Sequence, residues 1–205
     1  GDRGLRSEIT PEPWQTDTCI GDWHYNRRIF EEKRYLPAAE VIHRLCDIVS
    51  KNGNLLLSIP VRGDGTIDSE ERRIVEEIGG WMGRFSDAIH GTRPWTIFGE
   101  GPTTVAAGMF SEGKQKPFTP RDIRFTTKGD ALYAITLGQP EGGEVVVTTL
   151  ARDDPHVRRA VRRVTMVGDK TPLAFHQDQT GLRVTLPAGA RHPFGVAFRI
   201  GGGLE

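Results

Sequence analysis

The sequence predicts an α/β segment followed by an antiparallel β-sandwich, and three observations carry that reading. A helical apolar pattern ends at Asn52 and Gly53 and runs at once into Leu55, Leu56 and Leu57, closed by Pro60. That is the pattern of a helix, a C-cap glycine and a buried strand. The leucines do not alternate with polar residues, so both faces of the strand are expected to be covered, as in a parallel sheet walled by helices. Beyond Pro120 the helical period disappears, and short strand-like runs separated by turn signals take its place.

The elements follow in order. Gly1 to Pro13 is rich in Gly, Pro and charge, with Pro11 and Pro13 bracketing Glu12, and reads as an extended loop. Trp14 to Asn26 interleaves Trp14, Trp23, His24 and Tyr25 with hydrogen-bonding side chains and reads as the loop end of a preceding strand. Leu36 and Pro37 open a helix whose Val41, Ile42, Leu45, Ile48 and Val49 recur at helical spacing. After the strand, Arg62 to Thr66 is a turn-rich loop, and Asp68 with Glu71 three residues on suits the start of a second helix. Ile74, Val75, Ile78, Trp81, Met82 and Phe85 form its core stripe.

From Thr92 the character changes to Gly, Pro and Lys, which places an α/β portion at 1–95, a linker at 96–118 and the sandwich at 119–203. Seven runs are expected as strands there: 123–127, 131–137, 145–150, 163–167, 173–177, 182–186 and 195–200. Arg158, Arg159, Arg162 and Arg163 read as a solvated basic face.

Composition excludes some classes of partner. Lysine plus arginine equals aspartate plus glutamate at 27 each in 205 residues, so net charge gives no reason to expect nucleic acid or an acidic membrane surface. The apolar runs are too short to span a bilayer, and no charged-then-apolar leader opens the sequence. Two cysteines neither make a disulfide scaffold nor carry zinc spacing. Cys46 reads as a buried thiol within a helix, and Cys19 lies in a polar stretch with no histidine partner implied.

A pyranose offers an apolar face to a ring and hydroxyls to polar groups, so the stretch around Trp14, Trp23, His24 and Tyr25 has the make-up of a sugar pocket. The same tryptophans also read as loop anchors packed on a core. Asp64 stands at the C-terminal end of the strand, where α/β folds place ligand chemistry, but between two glycines it also reads as a turn former.

Pro13 to Asn26 (PWQTDTCIGDWHYN), Asp47 to Pro60 (DIVSKNGNLLLSIP), Asp64 to Ile67, Gly91 to Trp95 and Gly99 to Pro102 together resemble the bacterial α-L-fucosidases of glycoside hydrolase family 29. The resemblance implies the C-terminal portion of a (β/α)8-like barrel followed by an antiparallel β-sandwich. It also implies retaining hydrolysis of terminal α-L-fucosyl residues on glycans, with one carboxylate as nucleophile and another carboxyl as acid and then base. The nucleophile falls on an earlier barrel strand, upstream of Gly1, so the missing barrel segment is an expected partner. The acid/base position of many relatives, in a Glu-Arg-Gly triplet, falls on Asp2, one methylene shorter. Other members carry it directly after the tryptophan, where this sequence has Gln15, an amide that cannot shuttle a proton. Glu8 and Glu12 are further carboxylates of the same loop.

Trp23 falls where relatives hold an aromatic ring against the sugar, with His24 and Tyr25 as neighbours. Ser58 and His90 depart from the asparagine and tyrosine that relatives carry. No metal or organic cofactor is implied. The rival readings are a carbohydrate-binding sandwich, for which only Phe125, Tyr133, Phe175, Phe194 and Phe198 are available, and a structural brace beneath the barrel.

Overall fold

In the computed structural model, which describes residues 4–202, strand β1 (Trp14–Cys19) pairs in parallel with strand β2 (Gly53–Ser58). Trp14 stands opposite Gly53, and Cys19 opposite Ser58. The short helix α1 (Arg27–Glu31) and helix α2 (Ala38–Ser50) form the crossover, and helix α3 (Ser69–Phe85) follows β2. β1 is the main departure from the expected elements, because its helix-facing residues are Thr16 and Thr18, both buried, and not an apolar run.

The chain leaves α2 through Asn52, whose φ of 70° takes the left-handed position expected of Gly53. Asparagine tolerates that region through its short polar side chain. Gly53 is glycine for a different reason: a Cβ there would lie 2.6 Å from Trp14 Cε2 and 2.7 Å from Ile48 Cγ2. At α3 the expected N-terminus is observed. Asp68 accepts from the Glu70 and Glu71 amides, and Glu71 accepts from the Asp68 amide, closing a capping box.

Both long helices lie on one side of the β1–β2 pair. Leu55 and Leu57 pack with Ile20, Val41 and Ile74, whereas Leu56 is 55% exposed. The expectation that both strand faces are covered is therefore not met at Leu56 among the described residues.

Two antiparallel sheets make the second half. β3 (Arg93–Glu100), β4 (Ile123–Lys128), β5 (Ala131–Thr136), β10 (Ala197–Gly201) and β7 (Arg163–Met166) form one, in the order β3-β4-β5-β10-β7. β6 (Glu144–Val147), β9 (Gly181–Thr185) and β8 (Phe175–Asp178) form the other, in the order β6-β9-β8. All seven expected runs contain a strand. β3 was unexpected: it crosses the 95/96 boundary and pairs with β4 from Arg93 on, so the sheet begins in the last residues of the stretch read as α/β and runs into the stretch read as linker. Phe125, Tyr133 and Phe198 are buried; Phe125 and Phe198 flank Ala134 on one face of the larger sheet, and Tyr133 lies on the other, opposite Thr126 and Arg199.

The core is continuous between the halves. Ile42 and Cys46 of α2 and Trp81 and Phe85 of α3 share it with Phe125, Leu132, Val184 and Phe198. The Trp81 indole donates to the Gly195 carbonyl at 3.0 Å, and His43 Nε2 lies 2.9 Å from the Phe194 carbonyl.

A buried ion cluster crosses the same interface. Asp47 of α2 receives Arg124 Nε of β4 at 2.7 Å and Lys51 Nζ at 2.8 Å, all three side chains being at most 2% exposed. The Phe98 ring lies under both cations, and Lys51 also donates to the Arg6 carbonyl at 2.9 Å.

Candidate active site

The residues expected at a sugar site divide between the two ends of β1. At its C-terminal end the chain turns through Ile20 to Asn26, and the turn is fixed by local bonds. Cys19 Sγ donates to the Asp22 carbonyl at 2.8 Å, Asn26 Nδ2 donates to Asp22 Oδ2 at 2.7 Å, and the Asn26 side chain caps α1. Gly21 is small because a Cβ would meet the Tyr35 ring at 2.9 Å. On this scaffold Trp23 is 44% exposed, His24 is exposed and Tyr25 is half-buried.

The loop after β2 meets the same rim. The Arg62 guanidinium lies 5.6 Å from the Tyr25 ring centroid and donates to Thr66 Oγ1 and the Ile67 carbonyl. Asp64 accepts from the Thr66 amide at 2.9 Å and its hydroxyl at 2.7 Å, bonds that hold its carboxyl below the ordinary aspartate pKa. It is a turn former. Behind the rim, Tyr35 donates to Asp68 Oδ2 at 2.6 Å, and burial followed by that bond pushes the phenol pKa up.

Trp14 stands at the opposite end of the strand, about 17 Å away at ~3.3 Å per residue. Its Nε1 donates to the Lys51 carbonyl at 2.9 Å, the Arg6 guanidinium lies 5.6 Å from its ring, and it covers Gly53. The structure does not bring it together with Trp23, and its contacts are those of a strand anchor. Asp2 lies outside the described residues. Glu8 and Glu12 are exposed on the segment entering β1, at the Trp14 end. Cys46 is fully buried, and burial raises its thiol pKa, as suits an inert core residue.

Two residues that the sequence reading passed over belong to this region. Arg62 joins the two loops through Tyr25. Asp17, on the same face of β1 as Gln15, receives the Gln15 amide at 3.2 Å. The signal for Asp17 was the alternation of Gln15, Asp17 and Cys19 with Thr16 and Thr18, which is a strand period. Among the described residues, no three His, Cys, Asp or Glu side chains gather as metal ligands, and no helix is long and apolar enough to cross a membrane.

Comparison with known proteins gives a consistent result. Residues 1–87 match the alpha-L-fucosidase family model, and residues 115–200 match the model of the alpha-L-fucosidase C-terminal domain. The sequence is 29% identical to human tissue alpha-L-fucosidase over 189 residues, covering 91% of this chain and 35% of that protein. It is 28% identical to an alpha-L-fucosidase of Branchiostoma floridae, over 75% of this chain and 29% of the relative. Among solved structures, Thermotoga maritima alpha-fucosidase superimposes with a TM-score of 0.72 at 25% identity, over 96% of this chain and 41% of that one. The chain thus spans about a third of the length of its animal relatives. These relatives come from animals as well as bacteria, so the likeness points to a family and not to a bacterial source. The two halves of the chain carry, in order, matches to the two alpha-L-fucosidase family domains, and the chain is a homologue of the alpha-L-fucosidases of glycoside hydrolase family 29.

Proposed function

We propose that this chain forms the closing part of the barrel and the C-terminal sandwich of a retaining α-L-fucosidase that removes terminal α-L-fucosyl residues from glycans. The observation that carries the proposal is the occurrence of both family matches, in order, on a chain that covers only 35% of the human tissue enzyme. Residues 1–95 are the barrel portion, 96–118 the connection and 119–203 the sandwich, with β3 joining the sandwich sheet across the 95/96 boundary.

The face of β2 that carries Leu56, left exposed at that residue, supports the same reading. A barrel interior is filled by side chains of all its strands, so in the assembled enzyme the remaining strands cover that face. They also bring the nucleophilic carboxylate. Trp23 lies against the apolar face and methyl of the fucose, and His24 and Tyr25 form the rim beside it. One solved neighbour, the Thermotoga maritima enzyme at 25% identity, is a complex with fucose, in keeping with that substrate class. By the resemblance, Asp2 is the acid/base.

The test compares the full-length protein with residues 1–205 alone on an aryl α-L-fucoside. Turnover with retained configuration is expected from the first and none from the second, since one carboxyl cannot run both steps of a retaining mechanism. Binding of fucosides without turnover by the full-length protein would overturn the catalytic reading. Robust turnover by the 205 residues alone would overturn the division of the site.

A further inference from the structure

We infer that the turn from His192 to Gly195 is a pH-sensitive catch between the helices and the sandwich, closed while His43 and His192 are neutral and released when they take protons. The catch lies outside the proposed sugar site and does not depend on the fucosidase reading.

Phe194 is the bolt of this catch. Its ring packs against the core shared by helices and sheets and also against the separate cluster of Ile20, Ala38, Val41 and Ile74. Each of its backbone polar groups is held by a histidine ring. The Phe194 amide donates to His192 Nδ1 at 3.2 Å, and the Phe194 carbonyl accepts from His43 Nε2 at 2.9 Å. On the sandwich side the turn is fixed to β5. Gly195, at a φ of 109°, lies where a Cβ would be 1.9 Å from the Thr136 carbonyl oxygen, and the Val196 amide donates to Thr136 Oγ1 at 3.0 Å. On the helix side, α3 reaches the turn through the Trp81 indole and α2 through His43.

A ring nitrogen that accepts a hydrogen bond must keep its lone pair, and an imidazolium has none. When His192 takes a proton, Nδ1 becomes a donor facing the Phe194 N–H, and the turn loses the bond that closes it. Arg84 of α3 faces His192 and repels the cation, the ring meets Phe85 and Phe194, and the neighbouring Arg191 donates to the Gly142 carbonyl. His43 keeps its donor in either state, but a proton adds charge to a ring that meets Phe118 at the interface. Around it, Asp122 favours that charge, Arg124 lies on the same Phe118 ring and is paired with Asp47, and Glu40 pairs with Arg44 on the helix of His43 itself. Burial outweighs the Phe194 carbonyl and Asp122 and holds His43 below the ordinary histidine value of 6.5; burial and then Arg84 do the same for His192. Lowered histidines contribute stability that is present above the ordinary value and is lost as pH falls through the folded one.

The test is amide hydrogen exchange of the full-length protein, read by mass spectrometry at pH 5 and pH 7.5 and corrected for the intrinsic rate of each peptide. Peptides spanning 190–198 and 78–88 should exchange faster at pH 5, by up to about tenfold per pH unit for each histidine that takes a proton, while β5 peptides change less. The double variant His43→Gln with His192→Asn keeps both bonds without titrating, since the glutamine amide donates to the carbonyl and the asparagine oxygen accepts from the amide two residues on. It should show no faster corrected exchange at pH 5 in these peptides. Each single variant should lose part of the response, which covers the case in which the double variant does not fold. Arg84→Gln removes the repelling charge and should move the onset of faster exchange to higher pH. Equal corrected exchange of the wild type at both pH values, an unchanged response in the variants, or a rise as large in β5 would overturn the catch. An onset that does not move in Arg84→Gln would overturn the assignment to His192.

Discussion

Replacing Asp47 by asparagine isolates the most strongly buried charge arrangement in the structure. One carboxylate serves two cations, Lys51 and Arg124, each within 2.8 Å and each at most 2% exposed. The amide keeps the shape and loses the charge, so both cations are left unpaired in the interior. Removing one partner of a buried pair costs about 3–5 kcal/mol, because the other charge has no water to return to. The two cations respond differently. Burial already lowers the Lys51 pKa against the opposing pull of Asp47, so Lys51 can lose its proton once the carboxylate is gone. Arg124 cannot discharge and must keep its charge between the Phe98 and Phe118 rings.

The expected loss is therefore near the upper end of that range, and most of it belongs to Arg124. Urea unfolding of the full-length protein, in a cycle of Asp47→Asn, Arg124→Met and the double variant, measures it. A coupling of about 1–3 kcal/mol is expected, with the double variant recovering part of the single loss. A loss below about 1 kcal/mol for Asp47→Asn, or strict additivity, would refute the reasoning.

Three further outcomes are expected. Gly53→Ala should cost about 1–3 kcal/mol in a thermal or urea unfolding measurement, because the new methyl would meet a tryptophan ring that cannot swing aside; an unchanged stability would refute this. On the proposed fucosidase reading, Trp23→Ala in the full-length protein should lower kcat/KM on an aryl fucoside by about 1–3 kcal/mol, and unchanged kinetics would remove Trp23 from the site. Burial pushes the Asp122 carboxyl up, but bonds from Thr119 and Thr103 outweigh it and leave the pKa below 3.8. A lowered folded-state pKa adds stability that is present above the ordinary carboxylate pKa and is lost as pH falls through the folded value. Asp122→Asn should therefore cost more at pH 7 than at pH 3, and an equal cost at both would contradict the sign.

What was legible in the sequence was whatever buries an apolar period. α2, β2 and α3 announced themselves through Val41 and Ile42, Leu55 and Leu57, and Ile74 with Trp81 and Phe85. The sandwich strands did so through runs such as Ala131 to Ile135. β1 escaped because threonine, not leucine, covers its helix side, and a strand sealed by buried hydroxyls reads as polar. That omission hid Asp17, whose facing direction follows only from the strand alternation. It also placed Trp14 and Trp23 together, although a strand's length separates them. β3 escaped because Pro94 and Gly99 punctuate it, and its ladder with β4 is irregular between those two residues. The left-handed turn at Asn52 was assigned one residue late, since glycine is the commoner choice and Gly53 was needed for space. Ion pairing between residues as distant as Asp47 and Arg124 leaves no local pattern at all.

The shared core of helices and sheets has a consequence for anyone building chimeras of these enzymes. A sandwich exchanged from a homologue would have to set its own backbone carbonyl against Trp81, its own surface against Ile42 and Cys46, and its own counterpart of Arg124 against a foreign Asp47. The transferable unit is the sandwich together with α2 and α3, and a successful graft should have its seam upstream of Ala38 instead of in the stretch between Thr103 and Thr119.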